Sequence, residues 1–208
     1  MFGRKISEVI NKHIGRNIAL YIITLVCIFA GILIGMYSVR HMGEVYKSEL
    51  INYLNSFMDY LLKQNVNYKG VLFQAISNNI PFLLFIWFLG MTIIGVPLIV
   101  LINLIKGYTL GFTISFIVDS TGGKGIIMCL LGILPQNLFY LPCIIIASVI
   151  SMEFSLHFLK EKMNRRYKDT LAGRIVSYSL CYLIIILFMG IGFVFEAYVT
   201  PNILKLVI

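Results

Sequence analysis

Long apolar stretches alternate with short polar segments along the whole chain. An apolar stretch of about 18 residues or more can cross a bilayer as a helix. The pattern therefore predicts an all-α, polytopic integral membrane protein with five transmembrane helices. The predicted spans are 18–39, 78–101, 103–119, 126–151 and 175–197. They form a single membrane domain over 1–208, because no segment between them is long enough for a second domain.

The third predicted span is the shortest. Residues 107–118 carry no charge, but these twelve residues would measure only about 18 Å as a helix, against a hydrocarbon core of about 30 Å. The segment is either a full span that begins near Asn103, with Lys106 reaching towards the interface, or a re-entrant piece.

Two prolines bracket a pair of amides inside the fourth predicted span. Pro135 and Pro142 each remove a backbone donor and clash with the preceding turn, so each kinks or breaks a helix. Backbone groups freed at membrane depth must be satisfied by protein or water. The segment is either a broken helix surrounded by neighbours or one kinked helix with ordinary interhelical hydrogen bonds. The candidate intramembrane polar site comprises Asn78, Asn79, Asn103, Pro135, Gln136, Asn137 and Pro142.

Two polar segments have amphipathic patterns. Residues 1–16 combine apolar positions at helical spacing with basic ones, which predicts a helix on the membrane surface. Within the segment 40–77, the pattern predicts a helix over 44–63 with one apolar face. This face either lies flat on the membrane or docks onto a partner. Its residues are Leu50, Leu54, Phe57, Met58 and Leu61.

Basic residues predict the orientation of the spans. Residues 1–16 carry four Lys or Arg and the loop 152–174 carries six, and such segments remain in the cytoplasm. Both lie inside only if an even number of spans separates them, which requires 103–119 to cross. The N-terminus is therefore predicted to be cytoplasmic, and residues 40–77 and the C-terminus extracytoplasmic. These loops account for the net charge of +8 without any nucleic acid partner.

Two pairs of glycines recur at a spacing of four residues. Gly31 and Gly35 lie in the first predicted span, and Gly107 and Gly111 lie in the third. Small residues at this spacing allow two membrane helices to approach closely. We therefore expect these four positions to serve helix packing.

The polar residues argue against catalysis. Only 12% of the residues are charged, compared with about 25% in soluble domains. Asp119, Glu153 and Glu196 lie near predicted span ends, which leaves amides as the buried polar groups. Amides do not act as general acids or bases at ordinary pH. Since the sequence has no Ser/His/Asp set, paired carboxylates or metal-ligand spacing, we predict a protein that is not an enzyme and has no cofactor or metal.

The order of these features resembles the stage II sporulation protein M family of endospore-forming bacteria. The matching features are the basic N-terminal segment, Asn78-Asn79, the Asn103…Gly107…Gly111 helix start, Pro135-Gln136-Asn137…Pro142 and the basic loop before the last span. The resemblance covers essentially the whole chain. Broader relatives often carry a His, a Gly and an acidic residue after the first proline, where this chain has Gln136, Asn137 and Tyr140.

The resemblance implies a role in engulfment of the forespore. It implies a multi-pass protein of the plasma membrane, at the mother cell's septal and engulfing membranes. The implied partners are two peptidoglycan hydrolases, a lytic transglycosylase (the D protein) and an amidase (the P protein), which this protein would anchor and position. The leading hypothesis is thus a non-enzymatic scaffold that uses the apolar face of 44–63. The alternative is a channel or transporter subunit that uses a broken helix between Pro135 and Pro142.

Overall fold

A computed structural model describes residues 12–63, 67–164 and 171–207, and the side chains of all of these except 60–63, 161–164, 171–172 and 206–207. Residues 12–16 are helical and lead into the first long helix. The further helices are α1 (Ile18–Arg40), α2 (Glu44–Lys63), α3 (Tyr68–Gly90), α4 (Gly95–Thr121), α5 (Gly123–Met128), α6 (Leu134–Asn164), α7 (Leu171–Tyr198) and α8 (Thr200–Val207), with a π-helical segment Cys129–Ile133 between α5 and α6.

The structure confirms the predicted fold class. The described residues contain helices and no strand, as expected where lipid offers no hydrogen bonds to a backbone. Five helical stretches are long and apolar enough to cross a membrane. They are Ile18–Arg40, Tyr68–Gly90, Gly95–Thr121, Gly123–Lys160 and Gly173–Lys205.

Different segments of the chain lie at the two ends of the bundle. One end carries α2, the turn between α4 and α5, and α8, and we call it the α2 end. The other carries residues 12–17 and the connections from α3 to α4 and from α6 to α7, and we call it the loop end. Contacts such as Lys47 with Asp119 at the α2 end and Asn17 with Glu153 at the loop end fix these placements.

The closest helix pair is α1 with α4, which run parallel. A Cβ atom added to any of the four predicted packing glycines would overlap a backbone carbonyl oxygen of the other helix. The contacts are Gly31 with Leu104, Gly35 with Tyr108, Gly107 with Ile28 and Gly111 with Ile32. Backbones at this separation gain dispersion contacts along their length, which is the main source of attraction between helices in lipid.

The second and third spans begin and end at different residues from those predicted. The prediction placed a helix start at Asn78-Asn79 and a boundary near residue 102. In the structure α3 begins at Tyr68, and the chain turns at 91–94, within a mainly apolar sequence. Asn79 lies inside α3, where its side-chain amide donates to the Ala75 carbonyl (3.0 Å). The short third span is thereby extended to Gly95–Thr121, a continuous helix and not a re-entrant piece.

Hydrogen bonds hold the turn at 91–94 in place. The Thr92 hydroxyl donates to the Leu89 carbonyl (2.7 Å), and the Ser155 hydroxyl of α6 donates to the Thr92 carbonyl (2.7 Å). Gly95 is buried against the Leu89 carbonyl, where a Cβ would overlap. Apolar side chains can therefore form this turn because neighbouring hydroxyls satisfy its backbone.

The two prolines of the fourth span do not break its helix. Pro135 lies in the first turn of α6, directly after the π-helical segment, and Pro142 lies inside a continuous α6. The Leu134 N–H donates to the Cys129 carbonyl, a π-type bond across five residues. A π-bulge adds a residue to one turn, so the chain enters α6 without interruption. The fourth span is one continuous helical stretch.

The apolar core lies between α3, α4, α6 and α7. Its fully buried side chains come from all four helices, and they interdigitate closely. They are Leu83, Ile86, Ile99, Ile144, Val149, Met152 and Met189. Helix α1 packs outside this core, against α4 and α6.

Substituting Gly107 with alanine should separate α1 from α4, because the new methyl group would overlap the Ile28 carbonyl. We expect a loss of about 1–3 kcal/mol in the free energy of unfolding, measured in mixed micelles. Gly190→Ala is the matched control, since a Cβ there meets nothing within 4 Å. Equal stability of the two variants would contradict close α1–α4 packing.

Candidate functional site

Helix α2 packs its apolar face against the ends of α1 and α4. Leu54 is buried with Val39 of α1 and Phe116 of α4, and Leu50 and Met58 are half-buried against the same cluster. The predicted partner-binding face is thus largely occupied within the chain. Phe57 remains 43% exposed at its edge, and the Leu61 side chain lies outside the described residues.

An ion pair fixes α2 further. The Lys47 Nζ lies 2.6 Å from Asp119 Oδ2 at the end of α4. The hydrogen bond to Asp119 and the charge of its carboxylate raise the pKa of Lys47. Lys47 therefore stays cationic at neutral pH, and the pair holds α2 across the end of the bundle.

A second face of α2, beside the apolar one, is exposed and carries two tyrosines. Tyr46 and Tyr53 lie two helical turns apart on this face and are 69% and 74% exposed. Glu49 lies between them and is also exposed. Large aromatic side chains that remain exposed on an anchored helix are typical of protein-binding surfaces. The sequence pattern drew attention to the apolar face of this helix and missed this one.

A lysine lies inside the bundle, in the middle of α4. The Lys106 Nζ is 3.5 Å from the Asn79 Oδ1 of α3 and 5.2 Å from the ring centroid of Phe82. In the sequence-based alternative of a full span that begins near Asn103, Lys106 reaches towards the interface. Because α4 begins eleven residues earlier, at Gly95, Lys106 lies far from either end of its helix.

A carboxylate occupies the same bundle nearer the α2 end. Glu196 of α7 is partly buried and accepts a hydrogen bond from the Tyr140 hydroxyl of α6 (2.5 Å). No ion pair joins it to Lys106 among the described residues. The prediction that only amides are buried in the membrane is therefore incomplete, because Glu196, which the hydropathy pattern places near a span end, lies inside the bundle.

The two amides between the prolines serve the local structure. Asn137 is buried, and its side chain donates to the Ile133 carbonyl (2.8 Å) at the end of the π-helical segment. Gln136 Oε1 accepts from the Thr200 hydroxyl of α8 (3.4 Å). Asn78 is exposed on α3 and joins no cluster. The structure thus does not gather the predicted polar residues into one site.

Other polar contacts join the helices closer to the loop end. The Asn103 side chain is fully buried, and its oxygen accepts from Ser148 (3.0 Å), while its Nδ2 has no partner among the described residues. Ser151 of α6 contacts the hydroxyls of Tyr178 (2.7 Å) and Tyr182 (2.5 Å) of α7. Sequence reasoning missed the two tyrosines, since helical spacing alone does not distinguish them from core aromatics.

The loop end carries a polar cluster centred on Glu153 of α6. Its carboxylate accepts hydrogen bonds from Arg16 and from the Asn17 amide (2.8 Å), and His13 Nδ1 lies 3.4 Å away. His157 Nε2 lies 3.7 Å away. The described part of the predicted N-terminal amphipathic segment is thus attached to α6, while residues 1–11 lie outside the described residues.

These side chains offer few routes to chemistry. Within the described ranges, no group of three or more His, Cys, Asp or Glu residues could hold a metal ion. Ser151 contacts two phenols, neither of which is a base that would activate it as a nucleophile. The arrangement is suited to holding helices together and to presenting α2.

A family model described as Stage II sporulation protein M matches residues 24–201. The chain belongs to the stage II sporulation protein M family. The match extends from within the first span to the start of α8, so it includes all or most of each of the five spans. No match was found among curated proteins or among solved structures. Family membership makes this a sporulation-related membrane protein.

The hydrogen bond from Tyr140 to Glu196 joins α6 to α7 inside the bundle. Replacing Tyr140 with phenylalanine keeps the ring beside Gly192 and Phe193 but leaves the Glu196 carboxylate without its donor. We expect a loss of about 1–2 kcal/mol in the free energy of unfolding in mixed micelles. Tyr53→Phe, at an exposed position, is the control and should change nothing. Unchanged stability of Tyr140→Phe would show that this hydrogen bond does not stabilise the fold.

Proposed function

We propose that this membrane protein is a non-enzymatic scaffold that anchors and positions peptidoglycan hydrolases at the septal and engulfing membranes of the mother cell. The partners we propose are the lytic transglycosylase and the amidase of the engulfment complex. Family membership supports the setting, a sporulation membrane. The observation that carries the scaffold role is the exposed tyrosine face of α2.

Three features suit α2 to this role. Its inner face is anchored by Leu54 and by the Lys47–Asp119 ion pair, so binding would not require α2 to be ordered first. Beside the packed face, an exposed face presents Tyr46 and Tyr53 around Glu49. The positive-inside rule, applied to the basic residues of the opposite end, orients α2 towards the cell wall, where the hydrolases act. A rigid platform on the outer side of a membrane anchor is what a hydrolase scaffold requires.

The test is a crosslinked pull-down of the full-length protein from membranes of sporulating cells. We expect Tyr46→Ala combined with Tyr53→Ala to lower hydrolase recovery more than tenfold, because aromatic anchors contribute about 2 kcal/mol or more each to binding. The matched control is Tyr46→Phe with Tyr53→Phe, which keeps both rings and should retain most of the recovery.

Membrane abundance and thermal stability of each variant are measured in the same preparations. If the alanine variant recovers as much hydrolase as the unaltered protein, this face of α2 is not the docking surface. If the unaltered protein recovers no hydrolase, the scaffold proposal itself fails.

A second candidate function, a transporter or channel subunit, is favoured by one observation. Lys106 and Glu196 are ionisable groups inside the span bundle, where such residues commonly mark proton or ion paths. Pro135 and Pro142 do not interrupt α6, so there is no broken helix to form a binding site there. A path would instead follow Glu196, Lys106 and the buried Asn103.

Proton flux into liposomes that contain the purified protein tests this candidate. An entrapped pH-sensitive dye reports the flux after an external pH step, with protein-free liposomes and the Lys106→Met variant as controls. Transport requires a flux above that of empty liposomes that falls to their level in Lys106→Met. Equal flux in all three preparations excludes proton conduction.

A further inference from the structure

A pocket opens between α1 and α4 at the α2 end. Its volume is about 580 Å³, within the usual range for small-molecule sites. It is lined by Met36, Tyr37, Val39, Arg40, Ser115 and Asp119. No function described above uses this pocket.

The glycine contact explains why the pocket forms where it does. Gly107 lies opposite Ile28 and Gly111 lies opposite Ile32. Continuing the same register by one turn places Ser115 at the level of Met36, and by a second turn Asp119 at the level of Arg40. The glycines that allow close approach end at Gly111, and larger side chains follow on both helices. The pocket therefore begins directly beyond the tight contact.

Three hydrogen-bond donors around this pocket are free. Within the described part of the chain, the Arg40 guanidinium and the hydroxyls of Tyr37 and Ser115 take part in no hydrogen bond or ion pair. Asp119 also lines the pocket, but its carboxylate is bound to Lys47. Because Lys47 balances the charge of Asp119, the Arg40 guanidinium is the one unpaired charge among the residues that line the pocket. Its polar side therefore suits an anion that offers several acceptor oxygens.

The position of the pocket narrows the class of anion. Arg40 is the last residue of α1, so the guanidinium lies where a spanning helix leaves the hydrocarbon core. One turn before Arg40 in α1, Met36 lines the pocket and is 45% exposed. Leu33, a further turn back towards the middle of the helix, continues this exposed apolar surface. A ligand bound here meets donors at one end and an apolar helix surface at the other.

The geometry points to a binding site for the phosphate headgroup of an anionic membrane lipid. Arg40 would bind the phosphate oxygens through two parallel N–H bonds, the geometry that guanidinium groups favour. Ser115 and Tyr37 would donate to the remaining oxygens, and an acyl chain would lie along Met36 and Leu33. Basic pockets between spanning helices bind lipid headgroups by the same physics. This inference does not depend on the scaffold function.

The test uses full-length protein, purified in an uncharged detergent and stripped of bound lipid. Its thermal unfolding midpoint is titrated separately with short-chain phosphatidylglycerol, short-chain phosphatidylcholine and inorganic phosphate. A ligand that binds only the folded state raises the midpoint with concentration. We expect phosphatidylglycerol to raise it and the other two to have little effect.

Variants locate the effect in the pocket. Arg40→Gln should weaken the apparent affinity for phosphatidylglycerol about tenfold, the usual consequence of losing a charge-assisted hydrogen bond. Lys124→Gln is the matched control, because Lys124 is an exposed cation at the same end of the bundle and does not line the pocket. It should bind phosphatidylglycerol as the unaltered protein does. Ser115→Ala gives a second variant that leaves every charge in place, and it should bind more weakly than the unaltered protein.

Each remaining outcome overturns the inference. An equal rise with inorganic phosphate would assign the site to a soluble anion, and an equal rise with phosphatidylcholine would show that charge is not recognised. If Arg40→Gln and Lys124→Gln weaken binding equally, the effect is general surface charge. If Ser115→Ala and Arg40→Gln both bind as the unaltered protein does, the lipid binds elsewhere.

Discussion

The contact of backbone against backbone between α1 and α4 is the constraint on which the rest of this structure depends. Lipid tails are as apolar as leucine, so spanning helices gain nothing from hydrophobic burial against one another. They associate where their surfaces fit, and here four glycines bring two parallel backbones together. The contact fixes the level of α1 against α4, and the ends of both helices then form the base on which α2 packs. The pocket at Arg40 is also a consequence of where the glycines stop.

Hydroxyl and amide side chains join the remaining helices. Ser148 binds Asn103 of α4, Ser151 binds Tyr178 and Tyr182 of α7, and Ser155 binds the turn at Thr92. All three serines lie on one side of α6, which therefore connects α4, α7 and the loop between α3 and α4. Each bond contributes little by itself in a membrane, but each specifies which helix neighbours α6 and at what level. These polar groups explain how the helices are arranged around α6.

The sequence was sufficient for the fold class and insufficient for much of the site. Five apolar stretches predict five spans because hydropathy reports directly what lipid requires of a helix. The turn at 91–94 was not predictable in this way, since its side chains are mainly apolar and its backbone is satisfied by Ser155, a residue distant in sequence. Amides often cap helices, so the sequence predicts a helix start at Asn79, whereas its side chain bonds within α3.

For the candidate sites too, local sequence patterns were predictable and contacts between distant residues were not. The glycine spacing at Gly31 and Gly107 correctly indicated where helices approach closely, because it is a local pattern. The apolar face of α2 was also local, but only the structure shows that Val39 and Phe116 cover it. Glu196 and Tyr140 are far apart in sequence, so no spacing rule pairs them. The exposed tyrosines became recognisable only once the inner face of α2 was known.

The scaffold account requires α2 to face the cell wall. Cysteine labelling in intact cells with a membrane-impermeant maleimide tests this requirement most directly, in a variant whose four native cysteines are replaced by alanine. Asn52→Cys reports the exposed face of α2, and Lys160→Cys reports the opposite end of the bundle. The account predicts labelling of Asn52→Cys in intact cells and of Lys160→Cys only after lysis. Labelling in the reverse order would place α2 in the cytoplasm, away from peptidoglycan, and would contradict the scaffold role.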